Sequence, residues 1–156
     1  RNIDEDILVH TYESCYNEDT MGLFDLRMYD YIVDAMDTVS SKILLIEQAG
    51  KYKVPVISCL SMGDKLDPSR LEIMDISRVA ADSATKKMRA ELRKRGVRRL
   101  KVICSREHSH RGFEFRKIKP SVEKNIQGSI SFVAGVAGLM TAGEVVRDIL
   151  AEKYKK

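Results

Sequence analysis

The chain has 156 residues, of which 44% are hydrophobic and 32% are charged, and its formal net charge is +4. This length fits one domain with a sizeable core, and the composition is ordinary for a soluble globular protein. No apolar run reaches the ~18 residues that a membrane span needs, so a membrane role is not expected. The net charge is too small to indicate an anionic partner by itself. The first residues do not resemble a signal peptide, and the missing initiator Met suggests a piece of a longer protein.

The first part of the chain reads as strand, short helix, strand, helix and strand. Strands are predicted from β-branched and aromatic residues, and helices from apolar residues at helical spacing. Gly50 is the expected stop of the longer helix. The order strand, helix, strand predicts a right-handed crossover between parallel strands. The predicted elements are a strand at 7–12, a short helix at 18–24, a strand at 31–33, a helix at 40–51 and a strand at 54–59.

In the second part, strands and helices no longer alternate regularly. Residues 71–75 predict an edge strand, because Leu71 and Ile73 alternate with Glu72 and Met74. A glycine, Gly96, is expected to end the helix that follows this strand. Residues 107–124 are polar and irregular and include His108 and His110, which are expected to lie in a plain loop because no metal-ligand partner is spaced for them. The predicted elements are an edge strand at 71–75, a helix at 82–95, a strand at 99–105 and a long, glycine-containing helix at 130–154.

The three cysteines, Cys15, Cys59 and Cys104, are widely spaced, and each is expected in a strand-like context. Without a CxxC pair they indicate reduced thiols, and therefore a cytoplasmic location, rather than a metal site or a disulfide framework. No His or other base accompanies them in sequence, so packing is favoured over nucleophilic catalysis.

Two carboxylates lie close after the strand at 31–33. Asp34 ends this strand, Asp37 comes three residues later, and Lys42 lies near the start of the next helix. Ligands of open α/β sheets bind beyond the carboxyl ends of the strands, and carboxylates there suit a metal ion carried on phosphates. The alternative, which the pattern alone leaves open, is that Asp34 is a turn residue and Asp37 is merely solvated.

Four short motifs occur in an order that resembles a known superfamily. The chain is similar to the ThiF/MoeB/HesA-type, ubiquitin-activating-like adenylating enzymes, and within them most similar to the tRNA threonylcarbamoyladenosine dehydratases. The resemblance covers nearly the whole chain and is weakest over 107–124. The motifs are Asp34-Ala35-Met36-Asp37-Thr38-Val39-Ser40-Ser41-Lys42, Lys53-Val54-Pro55-Val56, Leu66-Asp67-Pro68-Ser69-Arg70-Leu71 and Gly128-Ser129-Ile130-Ser131-Phe132-Val133.

The resemblance implies an α/β fold, a Rossmann-like three-layer sheet with helices, that lacks its first nucleotide-binding βαβ unit. The family's GxGGxG loop, whose backbone N–H groups approach the phosphates, is absent from this sequence. The expectation is a single domain over 1–156 that forms the C-terminal part of such an enzyme. Alone, it is expected to bind ATP poorly and to be inactive.

The resemblance also implies a chemistry and a set of site residues. Asp37 would hold ATP and its Mg²⁺ and act in catalysis, Asp34 would shape the strand end at the nucleotide, and Lys42 would contribute to nucleotide binding. The carboxylate of the threonylcarbamoyl group would be adenylated, pyrophosphate would leave, and an internal nucleophile would close a ring. Metal and positive groups suit this chemistry because charge accumulates on the separating phosphates.

A dense basic run occupies the helix at 82–95 and its exit. Its candidates for tRNA contact are Lys86, Lys87, Arg93 and Lys94, since neutralised phosphates are the usual source of nucleic-acid affinity. A solvated helix face is the alternative. The resemblance further implies a homodimer, with the glycine-bearing last helix in the core or at the contact, and a possible sulfur-transfer partner protein.

Two other functions remain open. One is a ThiF/MoeB-like activator of a ubiquitin-like sulfur carrier, which the missing pair of CxxC motifs disfavours. A cysteine that some relatives carry before the last helix is also absent, because the chain has Asn125-Ile126-Gln127-Gly128 there. The other is a non-catalytic oligomerisation or binding module.

Overall fold

The computed structural model describes residues 4–80, 83–107 and 128–153. Its centre is a four-stranded sheet with the order β1-β2-β4-β3. The parallel strands pair with Ile32 opposite Val56 and with Ile57 opposite Lys101, and the antiparallel pair places Ile73 opposite Ile103. The elements are β1 (Ile32–Asp34), α1 (Val39–Tyr52), β2 (Val56–Cys59), β3 (Leu71–Asp75), α2 (Ser83–Lys94), β4 (Lys101–Ser105) and α3 (Ser131–Lys153).

Helices cover both faces of this sheet. On one face, α1 and α2 pack through Ile46 and Leu92 against Val102, and all three side chains are at most 1% exposed. On the other face, α3 packs through Val133 against Ile103. The three-layer α/β fold, the parallel crossover from β1 to β2 and the antiparallel edge strand β3 are therefore confirmed.

The predicted strand at residues 7–12 is wrong. The structure shows no regular secondary structure there, and all six residues are exposed. A high β-propensity describes side chains that fit a pleated, half-buried surface, and it forms no strand without a neighbour to pair with. Cys15 is likewise exposed and outside any strand, whereas Cys59 and Cys104 lie in β2 and β4.

The predicted helix at 18–24 shrinks to a single 3₁₀ turn, Met21–Leu23. A glycine, Gly22, sits at its centre, and isolated helices this short are marginal in water. The turn is followed by a second one, Leu26–Met28, which buries Leu26 against α1.

Of the two glycines predicted to end helices, one does so. Gly96 has φ +82°, the left-handed conformation that commonly ends a helix, and its N–H donates to the carbonyl of Arg93. Gly50 does not, because α1 continues to Tyr52. Lys53 takes the left-handed position instead, with φ 58°, and its N–H donates to the carbonyls of Ala49 and Gly50.

The C-terminal half of α3 is tied to the sheet by a polar cluster at the amino ends of the parallel strands. Lys101 donates to Glu144 at 2.7 Å and to Asp148 at 2.6 and 2.8 Å, and the hydroxyl of Tyr31 donates to Asp148 at 2.7 Å. The burial of Tyr31 and its bond to Asp148 raise the pKa of this phenol. We call this group the Lys101 cluster. Among the described residues, no helix is long and apolar enough to cross a membrane.

Candidate functional site

The candidate site lies where the parallel strands end. Asp34 is the last residue of β1, and Ser58 lies next to it in the register of β2. The carboxyl ends of parallel strands meet at one edge of a sheet, which is where ligands of open α/β folds bind. The structure thus brings Asp34, Asp37 and Lys42 to one place, at and just beyond this edge.

Asp34 lies beneath the surface of the site. Its side chain is 0% exposed, and its carboxylate accepts hydrogen bonds from Ser58 Oγ at 2.5 Å and Lys42 Nζ at 3.0 Å. It also accepts from the backbone N–H of Met36 at 3.1 Å. This last bond ties the end of β1 to the loop that carries Asp37, so Asp34 holds the shape of this loop.

Lys42 is the matching buried cation. Its side chain is 7% exposed, and its ammonium donates to Asp34 and, at 2.7 Å, to the carbonyl of Cys59. A buried charge is tolerated when it is paired and hydrogen-bonded. Because these acceptors use two of the three donors of the ammonium, Lys42 joins β1, α1 and β2 beneath the loop.

Asp37 differs from both. It lies between β1 and α1 and is exposed, so its carboxylate faces solvent at the mouth of the site. Within the described ranges, no group of three or more His, Cys, Asp or Glu residues could hold a metal ion by itself. A single exposed carboxylate fits a hydrated Mg²⁺ that is carried on phosphates, since Mg²⁺ usually binds through one or two carboxylates plus substrate phosphates.

A second buried carboxylate shapes the neighbouring loop. Glu107, 5% exposed, accepts hydrogen bonds from the backbone N–H groups of Leu66, at 2.9 and 3.1 Å, and Asp67, at 3.0 Å. The backbone carbonyl of Glu107 accepts from Lys65 Nζ at 2.7 Å. These bonds hold the loop after β2 against the end of β4, at the same edge of the sheet as Asp34.

Sequence reasoning missed Ser58 and Glu107. Ser58 had a signal, because it is a polar residue inside the otherwise apolar strand at 54–59 and a serine there needs a partner. Glu107 had none, since it opens a polar stretch in which a glutamate is unremarkable. His108, His110 and residues 125–127 lie outside the described residues.

The four basic candidates on α2 share one exposed face of the helix. At about 100° per residue, they lie within roughly 120° of one another and opposite Met88 and Leu92, which are buried against the sheet. Two other cations of this basic stretch already have partners within the chain. Arg95 binds Glu47 of α1 at 2.7 Å, and Arg89 donates to the carbonyl of Val79 at 2.8 Å. We call Lys86, Lys87, Arg93 and Lys94 the basic face of α2.

A cleft of about 520 Å³ lies at the opposite end of the sheet, between the amino ends of the parallel strands and the Lys101 cluster. It is lined mainly by apolar residues at the starts of β2 and β4. Because it does not contain the strand ends that carry Asp34 and Asp37, we place the candidate site by the strand ends and not by this cleft.

Comparison with known proteins finds relatives among the tRNA threonylcarbamoyladenosine dehydratases. No protein-family model matches the chain. It is 35% identical over 147 residues to the tRNA threonylcarbamoyladenosine dehydratase of Bacillus subtilis, and the match covers 88% of this chain and 57% of that protein. Two crystal structures of the Escherichia coli tRNA N6-threonylcarbamoyladenosine dehydratase, one with AMP and one with ATP, share its fold. Each has a TM-score of 0.81 and 19% identity and covers 100% of this chain, which in turn spans 63% and 62% of those chains.

Proposed function

Because the chain is a homologue of the tRNA threonylcarbamoyladenosine dehydratases, we propose that it is part of an ATP-dependent enzyme of this kind. The chain spans only about three-fifths of these relatives, so the activity is proposed for the full-length protein. The reaction is the adenylation of the threonylcarbamoyl carboxylate on a tRNA adenosine, followed by ring closure. The glycine-rich phosphate loop expected for this chemistry is not in this sequence, and the fragment alone is proposed to be inactive.

The observation that supports the proposal most is the difference in burial and hydrogen bonding between two nearby aspartates. Asp34 is buried and bonded to three donors, while Asp37, three residues later, is exposed on the loop that Asp34 holds. A solvated turn does not require a fully buried ion pair beneath it. A loop that must present one carboxylate at a fixed position does, since site residues need support from the groups behind them.

In this proposal Asp37 binds the Mg²⁺ that accompanies ATP and is the catalytic carboxylate. When bound, ATP would supply the adenylyl group that activates the carboxylate, and Mg²⁺ would offset the negative charge that builds up on the phosphates. We propose that Asp34 and Lys42 serve the nucleotide site indirectly, because both lie buried beneath the loop that carries Asp37. Their polar atoms are used by Ser58, Met36 and Cys59, so they orient the loop that carries Asp37.

The basic face of α2 is proposed to contact tRNA. Its four side chains are exposed, and among the described contacts only Lys94 has a carboxylate partner, Glu91 at 3.3 Å with the lysine 75% exposed. Such a pair is weak and screened by salt, so it leaves the lysine available to a phosphate. A cytoplasmic location, a homodimer and a sulfur-transfer partner protein remain parts of this proposal.

The test is the exchange of Asp37 in the full-length protein. We expect Asp37→Ala to abolish ATP-dependent release of AMP in the presence of tRNA that carries threonylcarbamoyladenosine, and to leave the fold intact because the side chain is exposed. Asp30→Ala is the matched control, since Asp30 is an exposed aspartate just before β1, at its other end. Wild-type turnover in Asp37→Ala would refute the assignment.

A further inference from the structure

Glu107 is a buried carboxylate that the proposed function does not yet use. It lies two residues beyond the end of β4 and is 5% exposed. Its carboxylate accepts hydrogen bonds from the backbone N–H groups of Leu66 at 2.9 Å and Asp67 at 3.0 Å. A charged group is costly to bury unless hydrogen bonds replace its water, so these bonds fix the segment that donates them. We call this segment, residues 60–67 after β2, the β2 loop.

The β2 loop is held at its start, middle and end. At the start, the N–H of Leu60 donates to the carbonyl of Ile103 at 3.0 Å. In the middle, the N–H of Asp64 donates to the carbonyl of Gly128, shortly before α3, at 2.8 Å. At the end, the carboxylate of Glu107 accepts from two successive N–H groups. Of these three attachments, the last depends on a side chain and can therefore be removed by substitution.

The other loop of the candidate site is held in the same way. The buried carboxylate of Asp34 accepts from the N–H of Met36 at 3.1 Å and so fixes the loop that carries Asp37. The two loops follow neighbouring parallel strands, β1 and β2, at the same edge of the sheet. Lys42 connects them, because it pairs with Asp34 and donates to the carbonyl of Cys59, the residue before the β2 loop. The site is therefore bordered by two loops, each supported by a buried carboxylate.

The β2 loop reaches over the side of the site that lies away from the nucleotide. In the proposed function the nucleotide binds beside the loop of Asp37, which follows β1. The β2 loop runs from β2 to the end of β4, and β2 lies between β1 and β4 in the sheet. The carboxylate to be adenylated must approach the α-phosphate closely, since reacting atoms in a productive complex lie about 3–3.5 Å apart. Within the described sheet, the space beyond β2 and β4 adjoins the nucleotide and can hold this group.

We propose that Glu107 is a positioning residue for the tRNA-borne acyl substrate. By fixing the β2 loop, it holds the wall of the site against which the threonylcarbamoyl group binds. Glu107 acts through the loop and does not contact the substrate, because its carboxylate is buried and bonded to Leu66 and Asp67. A displacement of about 1 Å in a substrate-positioning group can cost on the order of a hundredfold in rate. This inference rests on the proposed function and assigns its acyl substrate to one side of the site.

The first test measures the KM for tRNA carrying threonylcarbamoyladenosine and the dissociation constant of ATP, both with the full-length protein. Glu107→Ala removes both acceptor oxygens, and we expect the KM for tRNA to rise at least about tenfold while the dissociation constant of ATP changes less than about twofold. Glu107→Gln keeps one acceptor oxygen and should lie between the wild type and Glu107→Ala. Glu72→Gln is the matched control and should leave both constants unchanged. Glu72 lies opposite Cys104 in the sheet, near the same end of β4, but is 36% exposed and paired with Arg106.

Hydrogen exchange in the full-length protein without substrates tests the attachment itself. In Glu107→Ala the amides of Leu66 and Asp67 should exchange at least about tenfold faster, whereas those of Val102 and Ile103 in β4 should keep their wild-type rates. Because exchange needs no turnover, this result can be read even if the proposed dehydratase activity fails.

Three results would overturn the proposal. They are unchanged exchange at Leu66 and Asp67, an unchanged KM for tRNA when the wild type is active, and a loss of ATP affinity as large as the rise in KM. If Glu107→Ala also loses the protection of β4, the same criteria are applied to Glu107→Gln.

Discussion

The buried pair of Lys42 and Asp34 allows a prediction with a defined magnitude. Lys42→Met keeps most of the volume of the side chain but removes the cation from a pair whose members are 7% and 0% exposed. The change leaves a buried carboxylate without its counterion, which typically costs about 3–5 kcal/mol, whereas an exposed pair contributes about 0–1 kcal/mol. For a chain of this size we expect the melting temperature to fall by roughly 10 °C.

The assay is urea unfolding followed by circular dichroism, with Lys51→Met as the control. Lys51 pairs with Glu47 at 3.3 Å but is 55% exposed, so its loss should change the free energy of unfolding by less than about 1 kcal/mol. The double variant Asp34→Asn with Lys42→Met should be more stable than Lys42→Met alone, because it leaves no unpaired charge. Equal effects of Lys42→Met and Lys51→Met, or a double variant no more stable than the single one, would show that the buried pair of Lys42 and Asp34 does not stabilise the fold in this way.

Three further predictions concern the rest of the molecule. The hydrogen bond from Lys101 lowers the pKa of Glu144, so this contact stabilises the fold above the ordinary glutamate pKa of about 4.3 and is lost as the pH falls through the lower, folded value. In Lys101→Met, the free energy of unfolding should therefore fall less between about pH 5 and pH 3 than in the wild type. An unchanged pH dependence in this range would show that Lys101 does not stabilise the ionised Glu144. In a salt series with the full-length protein and tRNA, replacing the basic face of α2 by alanine should reduce the log–log slope by roughly three units if all four side chains engage, at about 0.7–0.9 per phosphate. A control variant in which four other cations are replaced by alanine should keep most of the slope; these are Arg27, Lys51, Arg106 and Arg147. Equal slopes for the two variants would show that the basic face of α2 does not bind tRNA. Calorimetry should detect at best weak binding of ATP and Mg²⁺ to this chain alone, and micromolar affinity would show that the missing glycine-rich loop is not required.

The sheet could be predicted because its signals are local. The strand at 54–59 is a mostly apolar run, and the strand at 99–105 contains the apolar residues Leu100, Val102 and Ile103. The helix between β1 and β2 has an apolar face that its two flanking strands can bury. The segment at 7–12 is also rich in β-branched and aromatic residues, but it forms no strand because it has no neighbour to pair with in the described structure. Pairing is a property of the fold rather than of the segment.

The location of the candidate site could be predicted from the sequence, but the separate roles of its residues could not. The motif from Asp34 to Lys42 places three charged residues at one strand end, and the family resemblance assigns all three to the nucleotide. Only the packing shows that Ser58 and the carbonyl of Cys59 use the polar atoms of Asp34 and Lys42. Burial depends on which strand lies next to β1, and the spacing of residues along one segment does not contain this information.

The proposed dehydratase activity is tested by the mass of the modified nucleoside. tRNA carrying threonylcarbamoyladenosine is incubated with the full-length protein, ATP and Mg²⁺, and is then digested to nucleosides for mass spectrometry. We expect the modified adenosine to lose the mass of one water, only when ATP is present and with release of AMP, and we expect Asp37→Ala to leave its mass unchanged. A modified adenosine of unaltered mass after incubation with folded, ATP-binding full-length protein would contradict the proposed function.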